Sequence, residues 1–183
     1  MLETYAKQAL LIIQQHLGTP QMVDVMERAA RLKGGWEGWL QVEIALALAA
    51  GFGGIVEVDR EVPYANLRRI LELKNLRTDV FVDIGDDQFI LMEIKAESKF
   101  QETSFEGSLA RRYVDDAGKL LELSGQGSRN VLSMVLGFCA TDAADRALRD
   151  LLARFPGLAE RTSFIDLTAP GATGMRLYYS IFR

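Results

Sequence analysis

Thr78-Asp79-Val80-Phe81-Val82-Asp83-Ile84-Gly85-Asp86-Asp87-Gln88-Phe89-Ile90-Leu91-Met92-Glu93-Ile94-Lys95-Ala96 reads as two strands joined by a tight turn. Residues 78–84 and 88–96 are rich in β-branched and aromatic side chains, and only Gly85-Asp86-Asp87 separates them, a hairpin signal. If the loop is those three residues, Ile84 faces Gln88. Antiparallel register then pairs Val82 with Ile90, Phe81 with Leu91 and Asp79 with Glu93. Side chains alternate along a strand, so Lys95 shares the face of Glu93. A two-residue loop at Asp86-Asp87 would instead put Asp79 and Glu93 on opposite faces, unless a bulge restores the register.

Outward from the hairpin the pattern alternates between helix and strand. Leu2, Tyr5, Ala6, Ala9, Leu10, Ile13 and Leu17 recur at helical spacing until Gly18, and Thr19-Pro20 reads as the cap and first position of a second helix that runs to Gly34-Gly35. Residues 1–34 are therefore expected to form an N-terminal helical hairpin. Residues 36–50 form a more apolar helix halted by Gly51, Gly53 and Gly54, and 55–62 a strand stopped by Pro63. Beyond the hairpin, helical spacing covers 105–123, a buried strand 131–140, a helix 142–155 broken at Pro156-Gly157, and final strands 163–167 and 175–182. No repeat or low-complexity stretch interrupts this order, and one domain over 1–183 is expected, with 35–183 as its main body.

Hydrophobic residues make up 49% of the 183-residue chain, enough to bury a core without disulfides. The one cysteine, Cys139, has no partner and lies in an apolar run, which excludes an intrachain disulfide and a cysteine-cluster metal site and suits a reducing compartment. No apolar stretch approaches the length of a membrane span, so a cytoplasmic location without a membrane partner is expected. A net charge of -4 argues against coating nucleic acid by bulk electrostatics. It leaves specific residues to carry any such chemistry.

The hairpin supplies them. Two carboxylates side by side destabilise a sheet unless a cation lies between them, and hard carboxylate oxygens suit Mg²⁺ or Mn²⁺. Lys95 adds a group able to orient or deprotonate a water, or to stabilise charge on a phosphate. An exposed hairpin end with an ordinary salt bridge is the plainer alternative. Glu-x-Lys alone is uninformative, since Glu72-Leu73-Lys74 repeats it with Asp59 upstream. Pro63 and the lack of alternation over 64–76 deny that second copy a tight hairpin. Glu43 sits among Trp36, Trp39, Leu40 and Ala47 on the third helix, where a carboxylate needs a partner, a proton or a metal. His16, the one histidine, disfavours Ser-His hydrolysis and histidine-rich metal sites. Gly51-Phe52-Gly53-Gly54 lacks the preceding strand and following lysine of a phosphate-binding loop.

The order of a helix with Glu43, a strand, a strand with Asp79, a strand with Glu93-Ile94-Lys95, a helix and a strand resembles the αβββαβ core of the PD-(D/E)XK, or restriction endonuclease-like, nuclease superfamily. The resemblance covers about residues 36–140, with Thr78 where the motif name has proline. It implies an α/β fold in which the N-terminal helical hairpin and the C-terminal strands are additions to that core. It implies Glu43, Asp79, Glu93 and Lys95 as catalytic residues, and Asp79, Glu93, Ile94 and Glu43 as the set holding Mg²⁺ or Mn²⁺. The implied activity is metal-dependent hydrolysis of phosphodiester bonds in nucleic acid, DNA first, in a repair, defence or toxin role. Arg68, Arg69, Lys74 and Arg77 before the hairpin, and Lys99, Arg111, Arg112 and Lys119 after it, are candidates for phosphate contacts, although charged faces are usually only solvated. The alternative is a catalytically silent module of the same fold, an immunity or regulatory protein. A protein partner or a homodimer is a further expectation.

Overall fold

Alternating apolar residues in the central strands give the sheet two buried faces, and every helix is arranged around that fact. The computed structural model describes residues 1–32, 36–63, 77–98, 108–124, 130–168 and 174–183. Among these residues the elements run α1 (Leu2–Leu17), α2 (Pro20–Ala29), α3 (Glu37–Gly51), β1 (Glu57–Pro63), β2 (Arg77–Gly85), β3 (Gln88–Ala96), α4 (Leu109–Ser124), β4 (Val131–Cys139), α5 (Asp142–Leu152), α6 (Pro156–Ala159), β5 (Thr162–Asp166) and β6 (Arg176–Phe182). The strands make one six-stranded sheet in the order β1-β2-β3-β4-β6-β5. It is mostly antiparallel, with β3 and β4 parallel. A parallel pair needs a crossover, and α4 lies between these two strands in the chain.

On one face, Val80, Val82, Ile90, Met92 and Ile94 pack with α1 and α3 through Leu10, Ile13, Leu40, Ile44 and Leu48. On the other, Leu91, Val135 and Cys139 pack with α4 and α5 through Leu109, Tyr113, Ala117 and Leu148. Period-two alternation therefore sends even-numbered residues of β3 toward α1 and α3 and odd-numbered ones toward α4. Cys139 is buried and free. Tyr113 fixes how closely α4 approaches the sheet: a Cβ on Gly137 would lie 2.6 Å from its ring. The Tyr113 hydroxyl lies 2.7 Å from Ser180 Oγ at the far end of that contact.

The hairpin turn differs from the three-residue loop expected of it. Gly85 pairs with Gln88, leaving Asp86 and Asp87 as a two-residue loop. Both have left-handed backbones, φ 53° and 56°, as a type I′ turn requires of its two central residues. That loop alone would have turned Asp79 and Glu93 to opposite faces. Ile84 is an extra residue between the pairs Asp83 with Phe89 and Gly85 with Gln88. This bulge restores the register, so Val82 faces Ile90, Phe81 faces Leu91 and Val80 faces Met92.

Other boundaries move by a few residues. Thr19 caps α2 by accepting from Met22 N–H, and that helix ends at Ala29, before the glycine pair. Pro156 starts the short α6 rather than merely ending α5, because proline suits the first helical position. The second Glu-x-Lys copy, together with Arg68, Arg69 and Lys99, lies outside the described residues. Among the described residues no helix is long and apolar enough to cross a membrane.

Candidate functional site

Asp79, Glu93 and Lys95 meet at the end of the β2–β3 ribbon, on the face toward α4. The pair Val80 with Met92, extended one step, places Asp79 beside Glu93. Asp79 Oδ2 also accepts the Ile94 N–H at 2.6 Å, which holds its carboxylate across the strand end. Beside it, Thr78 is buried with its hydroxyl 3.0 Å from the carbonyls of both Met92 and Val80. At this position the side chain ties β2 to β3.

The Lys95 ammonium is the centre of the cluster. Its Nζ lies 3.0 Å from Asp116 Oδ2, 3.5 Å from Asp79 Oδ2, 3.7 Å from Glu37 Oε1 and 3.9 Å from Glu93 Oε2. It also donates to the Ile94 carbonyl at 3.0 Å. The Lys95 and Asp79 side chains are each 14% exposed and Glu93 13%, so the charges are screened weakly by solvent yet reachable from it. Arg112 binds Glu37 Oε2 at 2.7 Å and Lys119 binds Asp116 Oδ1 at 2.6 Å. Four carboxylates thus face three cations, a formal excess of one negative charge.

The proton affinities of Lys95 and Asp79 are both displaced, for different reasons. Burial alone would make Lys95 give up its proton more easily, but Asp79, Glu37, Asp116 and Glu93 reverse this and hold it above its ordinary value. Lys95 is an ammonium at neutral pH. Burial raises the Asp79 carboxyl; Lys95 and the Ile94 N–H pull it back, Glu37 and Glu61 push it up, and the net displacement is upward.

The contribution of α3 is not the one expected. Glu43 lies 3.0 Å from His16 Nε2 on α1 and is not among the carboxylates within 4 Å of Lys95. The reason is the sheet. Leu40, Ile44 and Leu48 seat α3 on the face opposite the one that carries Glu93 and Lys95, and it is the helix's first turn that reaches the end of β3. Glu37 is in that turn. Six residues separate it from Glu43, about 120° around the axis and about 9 Å along it. Glu37 Oε2 accepts the Ala96 N–H at 3.1 Å, and Trp36 Nε1 donates to the Glu97 carbonyl at 2.5 Å, pinning the helix start to the end of β3.

Three acids close to this site were not anticipated from the sequence. Glu37 stands between Trp36 and Gly38 where the helix begins, and Asp116 follows Asp115 in a charged stretch; neither position by itself points to the strand end. Glu61 occupies the β1 position between the pairs Arg60 with Val80 and Val62 with Thr78, which is opposite Asp79. Its φ of 54° is unusual for a side chain of this kind. Glu97, by contrast, is spent on structure: its carboxylate accepts from Ala140 N–H, Thr141 N–H and the Thr141 hydroxyl at 2.7–2.8 Å. Of the basic residues expected to meet phosphate, Arg111 pairs with Asp115 at 3.0 Å, and Arg112 and Lys119 serve the cluster as above.

Whether the cluster suits a divalent cation is a question of donor chemistry. Among the described residues no three Asp, Glu, His or Cys side chains form a ready metal-ligating group. What is present is an oxygen cage around one positive point: Asp79 and Glu93 carboxylates and the Ile94 carbonyl, all within 3.9 Å of the Lys95 ammonium. Two carboxylates and a carbonyl, completed by water, are a set that Mg²⁺ accepts. The chemistry fits, with Lys95 as the cation now in place.

Comparisons of the chain with protein-family models, with curated proteins and with solved structures found no match.

Proposed function

We propose that this protein is a metal-dependent phosphodiesterase of the PD-(D/E)XK type, acting on nucleic acid, DNA first. The observation that carries the reading is the convergence of Asp79, Glu93, the Ile94 carbonyl and Lys95 at one strand end. It is reached through a bulged register that an ordinary surface hairpin has no need of. The element order α3, β1, β2, β3, α4, β4 supports the same family.

In this reading Asp79, Glu93 and the Ile94 carbonyl hold Mg²⁺ or Mn²⁺, and Glu37 replaces Glu43 as the acid supplied by the helix. The cation, when bound, supplies Lewis acidity toward a phosphate and a more acidic water. Lys95 enters as an ammonium, since its carboxylate neighbours hold its proton. It acts by stabilising negative charge that develops on the phosphate rather than as a general base. Arg112 holds Glu37 and donates to the Ala96 carbonyl at 2.7 Å, keeping the strand end and the helix start in register.

One observation favours a second reading, a binding module that keeps the fold without the reaction: the cage is already filled by the protein's own ammonium. Calorimetric titration of Mg²⁺ and Mn²⁺ into wild type and Glu93→Ala separates the two. The enzymatic reading expects saturable binding by the wild type that Glu93→Ala weakens strongly. No binding by the wild type at millimolar metal would leave the binding module.

A further inference from the structure

Any cation taken up by Asp79, Glu93 and the Ile94 carbonyl must share those oxygens with an ammonium already within 3.9 Å of each. Like charges that close repel strongly in a weakly screened site, so Lys95 needs somewhere to go. The four surrounding carboxylates are not equivalent in this respect. Asp79 and Glu93 are the ligands themselves. Glu37 is pinned through its other oxygen by Arg112 and the Ala96 N–H, and stands 3.7 Å away. Asp116 is the nearest at 3.0 Å, is buried, and belongs to α4 rather than to the strands that carry the ligands. Its Oδ1 accepts from Lys119 at 2.6 Å, while its Oδ2 is the oxygen turned to Lys95.

We infer that Asp116 is a positioning residue that receives the Lys95 ammonium when the oxygens of Asp79, Glu93 and Ile94 pass to a divalent cation. Lys95 then remains beside the site, where a phosphate would need it, instead of competing for the ligands. This inference rests on the metal-dependent reading above. It assigns Asp116 a role that operates through Lys95 and not on the cation directly.

A double-mutant cycle in Mn²⁺ affinity tests it, with wild type, Asp116→Asn, Lys95→Met and the double variant measured by calorimetry and checked for folding by circular dichroism. With Lys95 present, Asp116→Asn should weaken Mn²⁺ binding by at least about fivefold, because the displaced ammonium has lost its acceptor. With Lys95→Met as background, the same change should matter less than about twofold. Asp116→Glu, which keeps the carboxylate, should bind close to wild type. Equal losses in both backgrounds would show that Asp116 acts on the cation by charge alone and overturn the inference, as would no loss in either. Should Asp116→Asn fail to fold, ¹⁵N-detected NMR of wild-type Lys95 with Mg²⁺ decides the matter. A slowly exchanging ammonium coupled to Asp116 is expected, and a solvent-exchanging one overturns the inference. If neither wild type nor Lys95→Met binds metal, the functional reading fails and this inference with it. If the proteins bind metal but the effect of Asp116→Asn is the same with and without Lys95, this inference alone fails.

Discussion

Asp79 and Asp145 are aspartates of nearly equal exposure, 14% and 12% for their side chains, in two charge clusters of opposite balance. Around Asp145 one carboxylate is shared among donors: Arg176 at 2.8 Å, the Tyr178 hydroxyl at 2.6 Å, and Arg149 one helical turn away. Burial there would raise the carboxyl, but those hydrogen bonds more than compensate and hold it below its ordinary value. Around Lys95 the balance differs: four carboxylates face Lys95, Arg112 and Lys119, and Asp79 is displaced upward chiefly by burial, which Lys95 and the Ile94 N–H do not fully offset. A cluster with enough donors is finished as structure. A cluster with surplus carboxylates can accept added positive charge, which is what the metal-binding proposal requires of it.

The contrast is broken most directly at Asp145. Asp145→Asn should cost about 3 kcal/mol at neutral pH, since it leaves Arg176 and Tyr178 with a weaker acceptor in a buried setting; urea denaturation measures it. The pH dependence has a definite sign. A carboxyl held low in the folded state contributes stability above its unfolded value of 3.8 and loses it as pH falls through the lower folded value. The gap between wild type and Asp145→Asn should therefore narrow as the medium is acidified below that point. A gap constant with pH would mean that packing, not the charge, carries the effect.

Lys95→Ala comes next, at about 2 kcal/mol of lost stability in metal-free protein, because four carboxylates then face only Arg112 and Lys119. The partial solvent access of the site keeps the figure below that of a fully buried pair. Millimolar Mn²⁺ should restore much of the loss, as read by a thermal melt with and without metal. A loss unaffected by Mn²⁺ would show that the lysine stem's packing matters more than its charge. The smallest effect belongs to Asp79→Asn, which should change metal-free stability by less than about 1 kcal/mol, since burial already disfavours its charge. A loss as large as that of Asp145→Asn would erase the distinction between the two clusters.

The hairpin and its register were legible because alternation and turn residues are local signals. The route to the register was not: Asp86 and Asp87 adopt left-handed backbones and Ile84 bulges, a compensation of two errors that no residue in the stretch announces. Glu43 misled because a carboxylate among apolar neighbours promises a partner without naming it, and the partner is His16, 27 residues earlier. Glu37 and Asp116 were hidden for the converse reason. Their roles come from where α3 starts and where Tyr113 seats α4 over Gly137, tertiary facts with no local signature.

Cleavage by Lys95→Ala tests the central claim most directly, with single- and double-stranded DNA as substrates, Mn²⁺ as the metal, and Mn²⁺ affinity and circular dichroism measured in parallel. The account predicts Mn²⁺-dependent cleavage by the wild type. Lys95→Ala should remain folded, bind Mn²⁺ as tightly or more tightly, and lose at least about 100-fold in rate; Glu93→Ala should lose metal binding and cleavage together. A folded Lys95→Ala protein that cleaves as fast as the wild type would contradict the account, placing any activity outside the Asp79, Glu93 and Lys95 cluster.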